Sequence, residues 1–132
     1  MITNRSMPPG IIIPELPYDD VSVAATWLCQ TFGFKERLRI GNHRIQLSFG
    51  QGSVVVIEGK ESGTSYVLVH VDDVDNHYER AKQSGAQIIR PPADYPYGER
   101  QYTAEDLGGH RWTFSQTIAD VDPKTWGGEL FE

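Results

Sequence analysis

The chain has one cysteine in 132 residues, Cys29, so it can form no internal disulfide and no thiolate cluster for zinc. It also has no apolar run near the roughly 20 residues that a membrane-spanning helix requires, so no membrane partner is expected. Basic residues are few: 12 Lys and Arg stand against 18 Asp and Glu, a net charge of −6. A nucleic-acid surface needs a stripe of Lys and Arg to meet phosphates, and none is present. The phosphate-binding loop, the HExxH zinc pattern and the strained nucleophile turn of hydrolases are all missing. The opening MITNRSMPPG has an arginine but no apolar stretch before its first proline pair. A secretory leader is therefore not expected, and the cytoplasm is the expected compartment.

What the chain does have is a repeat. IIPELPYDDVSVAATWL (12–28) and SYVLVHVDDVDNHYERA (65–81) align so that Asp19-Asp20-Val21 falls on Asp72-Asp73-Val74, 53 positions later. Val21, Ala24, Ala25, Leu28 and Phe32 recur at helical spacing, and Val74, His77, Tyr78 and Ala81 repeat the phase. The aspartates before each run are natural N-caps, and Gly33 and Gly85 suit the left-handed residue past each helix. Short alternating runs follow each helix: FKERLRI, HRIQLSFG and SVVVIEG, then AQIIRPP, RQYTAED and HRWTFSQ. Turn residues separate them, Gly41-Asn42 being the strongest hairpin signal. Each half therefore reads βαβββ, and the chain is an α+β protein of two such modules. The boundaries are a flexible N-terminus at 1–9, a single domain at 10–116 (module one 10–59, module two 64–116) and a tail at 117–132.

The paired layout, VDDVDNHYERAKQSGAQI and the closing YGERQYTAEDLGGHRWTF resemble the glyoxalase / bleomycin-resistance / dioxygenase superfamily, the vicinal oxygen chelate fold. The resemblance covers about residues 10–116 and implies a cup-shaped cavity between the modules. In the family's enzymes that cavity holds a metal, bound from the first and last strand of each module. Carried over by the repeat, those positions are Ile13, Val56, Tyr66 and Thr113. Two aliphatic side chains, a phenol and a hydroxyl are not a ligand set for the family's divalent ions. The resemblance thus implies a member with no metal and no cofactor: a homodimer that binds a small organic molecule, an antibiotic or a metabolite, in the inter-module cavity.

Strand alternation puts Tyr66, Leu68 and His70 on one face and Val67, Val69 and Val71 on the other. The resemblance turns the Tyr66 face toward the cavity, with Thr113 beside it and Arg111 and Ser115 sharing its side. Trp112 and Phe114 point away and read as core. His70 is either a polar contact for a ligand or a structural histidine at the cavity rim. RPPADYPYGERQY (90–102) reads as a proline-stiffened loop that presents at least one of the ligand-contact candidates Tyr95, Tyr97, Arg100 and Tyr102 to the ligand. Trp27 lies off the main helix stripe, at a dimer contact or the cavity edge. Cys29, among apolar neighbours with no base nearby, reads as a structural thiol.

Two further functional readings stay open. One is a lyase or isomerase with His70 as acid/base and Tyr66 or Arg100 as electrostatic helper. The other is an assembly domain with a vestigial cavity.

Overall fold

The computed structural model describes residues 4–60 and 65–131. The chain folds as β1 (Glu15–Tyr18), α1 (Val21–Phe32), β2 (Lys35–Ile40), β3 (Arg44–Phe49) and β4 (Gly52–Glu58). The pattern then recurs as β5 (Tyr66–His70), α2 (Val74–Gln83), β6 (Gln87–Tyr95), β7 (Glu99–Glu105) and β8 (Arg111–Thr117). A 3-10 turn, Pro123–Trp126, follows. The strands form two four-stranded sheets of equivalent order, β1-β4-β3-β2 and β5-β8-β7-β6. In each, the first strand pairs parallel with the last and the other pairings are antiparallel. This is the α+β arrangement of two βαβββ modules. No helix among the described residues is long and apolar enough to cross a membrane.

The chain divides into two compact units. The first holds the described residues up to Ser65 together with the turn Asp106–His110; the second holds Tyr66–Glu105 and the described residues from Arg111 onward. Module two was expected to begin at residue 64, which lies outside the described residues, as do 61–63.

In unit one, α1 starts where the Asp20 carboxylate accepts from the Val23 amide. It ends at Gly33, which adopts φ 85°, a left-handed conformation that side chains other than glycine's rarely take. Its buried apolar residues Val21, Ala24, Ala25, Leu28 and Phe32 form one stripe. On the sheet, the register puts Leu16, Val56, Ile45, Leu47 and Val54 on one face, all buried. Stripe and face make the core of the unit, and each large side chain so buried is worth roughly 1.5–3 kcal/mol.

Residues 1–9 were expected to be flexible. Arg5 and Ser6 are tied to the sheet: Arg37 donates to the Arg5 carbonyl at 2.9 Å and Gln46 to the Ser6 carbonyl at 2.8 Å. Pro8 is buried. Residues 1–3 lie outside the described residues.

In unit two, Asp73 caps α2 by accepting from the Asn76 amide, and Gly85, at φ 90°, follows the last helical turn. Trp112, Phe114 and Tyr102 are buried on the α2 side of the sheet. The His77 ring lies 4.1 Å from Phe114, and the Tyr78 ring meets Tyr102 edge-on at 5.3 Å. Only Val74 and Ala81 of the helix are fully buried, so aromatic contacts replace the aliphatic stripe of α1.

Candidate functional site

The opposite face of the second sheet gathers most of the residues singled out from sequence. Leu68 pairs with Thr113, Tyr66 with Arg111 and His70 with Ser115, so these six side chains share a side. Tyr66 and Leu68 are 73% and 64% exposed, an apolar strip at the sheet edge. β7 adds Glu99, Gln101 and Thr103, which register with Thr117, Ser115 and Thr113.

Hydrogen bonds link these polar groups into a row. The Tyr97 hydroxyl donates to the Gln101 side-chain oxygen at 3.2 Å, and the Gln101 amide donates to Ser115 Oγ at 3.0 Å. Ser115 in turn donates to Glu99 Oε1 at 2.6 Å. The two ends of the Gln101 amide meet a donor and an acceptor in the only orientation that satisfies both. Thr103 and Thr113 share a hydroxyl–hydroxyl bond of 2.8 Å. Burial by itself would raise the pKa of Glu99. The hydrogen bonds from Ser115 and Thr117, with His70 nearby, outweigh it and hold the carboxyl below the ordinary glutamate value. At neutral pH the row therefore ends in a carboxylate next to an imidazole. Such a pair can accept from a hydroxyl or amine of a bound molecule.

At the far end of the row the Tyr95 and Tyr97 rings stack at 5.6 Å and 15°. Trp126 of the tail meets Tyr97 edge-on at 5.4 Å. The segment read as a loop is in fact the end of β6, a tight turn and the start of β7. Strand alternation then divides the four residues of which at least one was expected to face a ligand. Tyr95 and Tyr97 stand with the row, whereas Arg100 and Tyr102 turn to the helix side. Arg100 is held between Asp75 and Asp94, with ion pairs of 3.1 and 3.0 Å. Tyr102 is 1% exposed and lies 2.5 Å from His77 Nδ1. Tyr102 thus lacks the access expected of a ligand contact, and Arg100 is committed to two carboxylates. Glu99, Gln101 and Ser115 escaped the sequence reading as site residues. The alternation within ERQYTAE would have found the first two had the stretch been read as a strand.

Two of the positions carried over by the repeat need correcting. β1 begins at Glu15, so Ile13 precedes the strand. On β4 the equivalent of Thr113 is Val55, because Glu15 pairs with Val55 as Leu68 pairs with Thr113. Val56 faces α1 instead, since a one-residue step reverses the face. Valine replaces valine, so the donor chemistry is unchanged. Tyr66 is exposed and Thr113 spends its hydroxyl on Thr103. These residues do not fit the divalent ion of the family's enzymes.

His110 does more than end a turn. It is 1% exposed, its Nε2 lies 2.8 Å from the Pro17 carbonyl, and its Nδ1 is hydrogen-bonded to Ser65 Oγ. The carbonyl can only accept, so Nε2 carries a proton and donates to it. Cys29 is half-buried, and burial, followed by the Glu36 charge, raises its thiol pKa, as befits an unreactive group. Trp27 meets Phe32 edge-on at 5.1 Å.

Among solved structures the fold is similar to TioX from Micromonospora sp. ML1, at 36% identity and TM-score 0.72. That match covers 86% of this chain and 100% of TioX. It is also similar to TnmS3, an antibiotic binding protein from Streptomyces sp. CB03234, at 24% identity and TM-score 0.69, over 80% of this chain and 93% of that one. Among curated proteins, Mb0911c of Mycobacterium bovis is 32% identical over 62 residues, 46% of this chain and 41% of the relative. The match thus spans about two fifths of that relative's length. The model of the Glyoxalase/Bleomycin resistance protein/Dioxygenase superfamily matches residues 10–114, and the chain belongs to that superfamily.

Proposed function

We propose that this protein binds a small organic molecule on the second sheet without a metal ion or cofactor, and that it sequesters or carries the molecule as a cytoplasmic homodimer. The observation that carries this reading is the pairing, on one face, of an exposed apolar strip with a satisfied polar row. Tyr66 and Leu68 supply contact area, and Glu99, Gln101 and His70 supply the few oriented polar groups that give a binding site its specificity. The antibiotic-binding description of TnmS3 makes antibiotics the first class to screen. Positions that hold ligands in metal-dependent relatives carry Val55, Tyr66 and Thr113 here, which favours binding without a metal.

The test is a thermal-shift and calorimetric screen of the full chain against antibiotics and aromatic metabolites. For a hit, Tyr66→Ala and Leu68→Ala should each weaken binding about tenfold, as truncation of a contact anchor does. Arg100→Ala, on the other side of the sheet, should leave affinity unchanged. A hit indifferent to Tyr66 and Leu68, or a broad panel without a shift, would sink the proposal. Sedimentation tests the homodimer. A second reading, catalysis by His70 as acid/base, is favoured by the placement of His70 near the Glu99 carboxylate. It requires turnover of a bound molecule that His70→Ala abolishes while binding persists.

A further inference from the structure

A nucleophile and a base stand together where β5 begins, among residues that the binding proposal does not use. Tyr66 of β5 pairs with Arg111 of β8 in parallel register. The residues just before them, Ser65 and His110, are joined by a hydrogen bond between Ser65 Oγ and His110 Nδ1. The imidazole is held by other groups as well. Its Nε2 donates to the Pro17 carbonyl at 2.8 Å, the His110 amide donates to Asp106 Oδ1 at 3.0 Å, and the Tyr18 ring meets the imidazole edge-on at 4.8 Å. With the proton of a neutral ring fixed on Nε2, Nδ1 is the acceptor, and in that state Ser65 donates to it. Burial divides the pair: His110 is 1% exposed, whereas Ser65 is half-buried, so the serine is the member that solvent reaches.

We propose that Ser65 is a covalent acyl-acceptor site, with His110 as its general base and the Pro17 carbonyl as the group that orients the base. A hydroxyl is activated by this arrangement, in which nucleophile and base are in hydrogen-bond contact and a third group fixes the base. Ser65 Oγ attacks the acyl carbon while its proton passes to His110 Nδ1. A C–O bond forms to the serine, the bond to the leaving group breaks, and the leaving group takes the proton from Nδ1. The products are the acyl-serine and the protonated leaving group, with no change of oxidation state. The pair supplies a nucleophile and a base, so the donor class is one that brings its own activation: activated esters and strained cyclic amides. The titratable groups packed around the ring are Tyr18 of β1 and Asp106 of the β7–β8 turn, which are bonded to each other. Arg111, next in the chain, is paired with Glu105 at 3.4 Å.

The test treats the full chain with p-nitrophenyl acetate and locates the acetyl group by peptide mass spectrometry. Ser65 should be acetylated at least about a hundredfold faster than the exposed Ser84 at the end of α2, which is the advantage a positioned general base gives. The Ser65 rate should rise with pH and level off, with a midpoint matching the His110 ring titration followed by NMR. His110→Gln keeps an N–H donor for the Pro17 carbonyl and removes the base, so it should lower the rate by a similar factor. Circular dichroism shows whether that variant folds, and if it does not, the wild-type comparison with Ser84 and the pH profile decide. Equal rates at Ser65 and Ser84, a profile that ignores the His110 titration, or a folded His110→Gln that reacts like the wild type would each overturn the proposal.

Discussion

Tyr18 donates its phenolic hydrogen to the Asp106 carboxylate at 2.5 Å, although 88 positions separate the two residues. Both are buried. The other carboxylate oxygen accepts from the Gly108 and His110 amides at 2.9 and 3.0 Å. A Cβ on Gly108 would sit 2.6 Å from the Tyr18 ring, so glycine is required there by close approach. Burial, and then the Asp106 charge, push the Tyr18 pKa far above the ordinary phenol value, so the hydroxyl stays protonated and donating.

Tyr18→Phe keeps the ring and removes one hydrogen bond to a buried carboxylate. The expected cost is about 1–3 kcal/mol of unfolding free energy, read from urea denaturation. A change within about 0.3 kcal/mol would mean that the bond contributes nothing net.

Glu99 has a lowered pKa in the folded protein. Its contribution to stability is therefore complete above the ordinary value of 4.5 and is lost as pH falls through the lower folded value. The wild type should lose stability on acidification below that value more steeply than Glu99→Gln, which cannot titrate there. Melting curves collected across that range check it, and parallel acid limbs would show that the carboxylate is not held by Ser115 and Thr117.

Gly98, at φ 85°, turns the chain between β6 and β7, and its carbonyl accepts from the Ile118 and Ala119 amides at 2.9 and 3.3 Å. A Cβ there would collide with the Ala119 carbonyl oxygen. Gly98→Ala should cost about 1–3 kcal/mol through backbone strain and dislodge the start of the tail. Loss of the Trp126 contact with Tyr97 should appear as a red shift in tryptophan emission, and an unshifted spectrum with unchanged stability would refute the account.

Much of the fold was legible in the sequence because it is written in local periods. The spacing of Val21, Ala24, Ala25, Leu28 and Phe32 marked α1, and the doubled Asp-Asp-Val exposed the repeat that predicts two equivalent sheets. The face carrying Tyr66, Leu68 and His70 followed from alternation alone. Where proline and aromatic residues mimicked a loop, at 90–102, the reading failed: β6 accommodates its prolines at a sheet edge and through register shifts. Reading a loop there hid the alternation that sets Arg100 and Tyr102 on the helix side and Glu99 and Gln101 on the other.

The chain's own order determined which residues are helical, which strands alternate and which module repeats the other, because each depends on neighbours a few positions apart. Tertiary structure alone decided that Val55, not Val56, answers Thr113, and that Ser115 bridges Gln101 to Glu99. It also decided that Tyr18 finds Asp106 and that Arg5 and Ser6 lie on Arg37 and Gln46. Those contacts join distant segments, and their register is set by pairing and packing across the sheets, where a shift of one residue reverses every side chain.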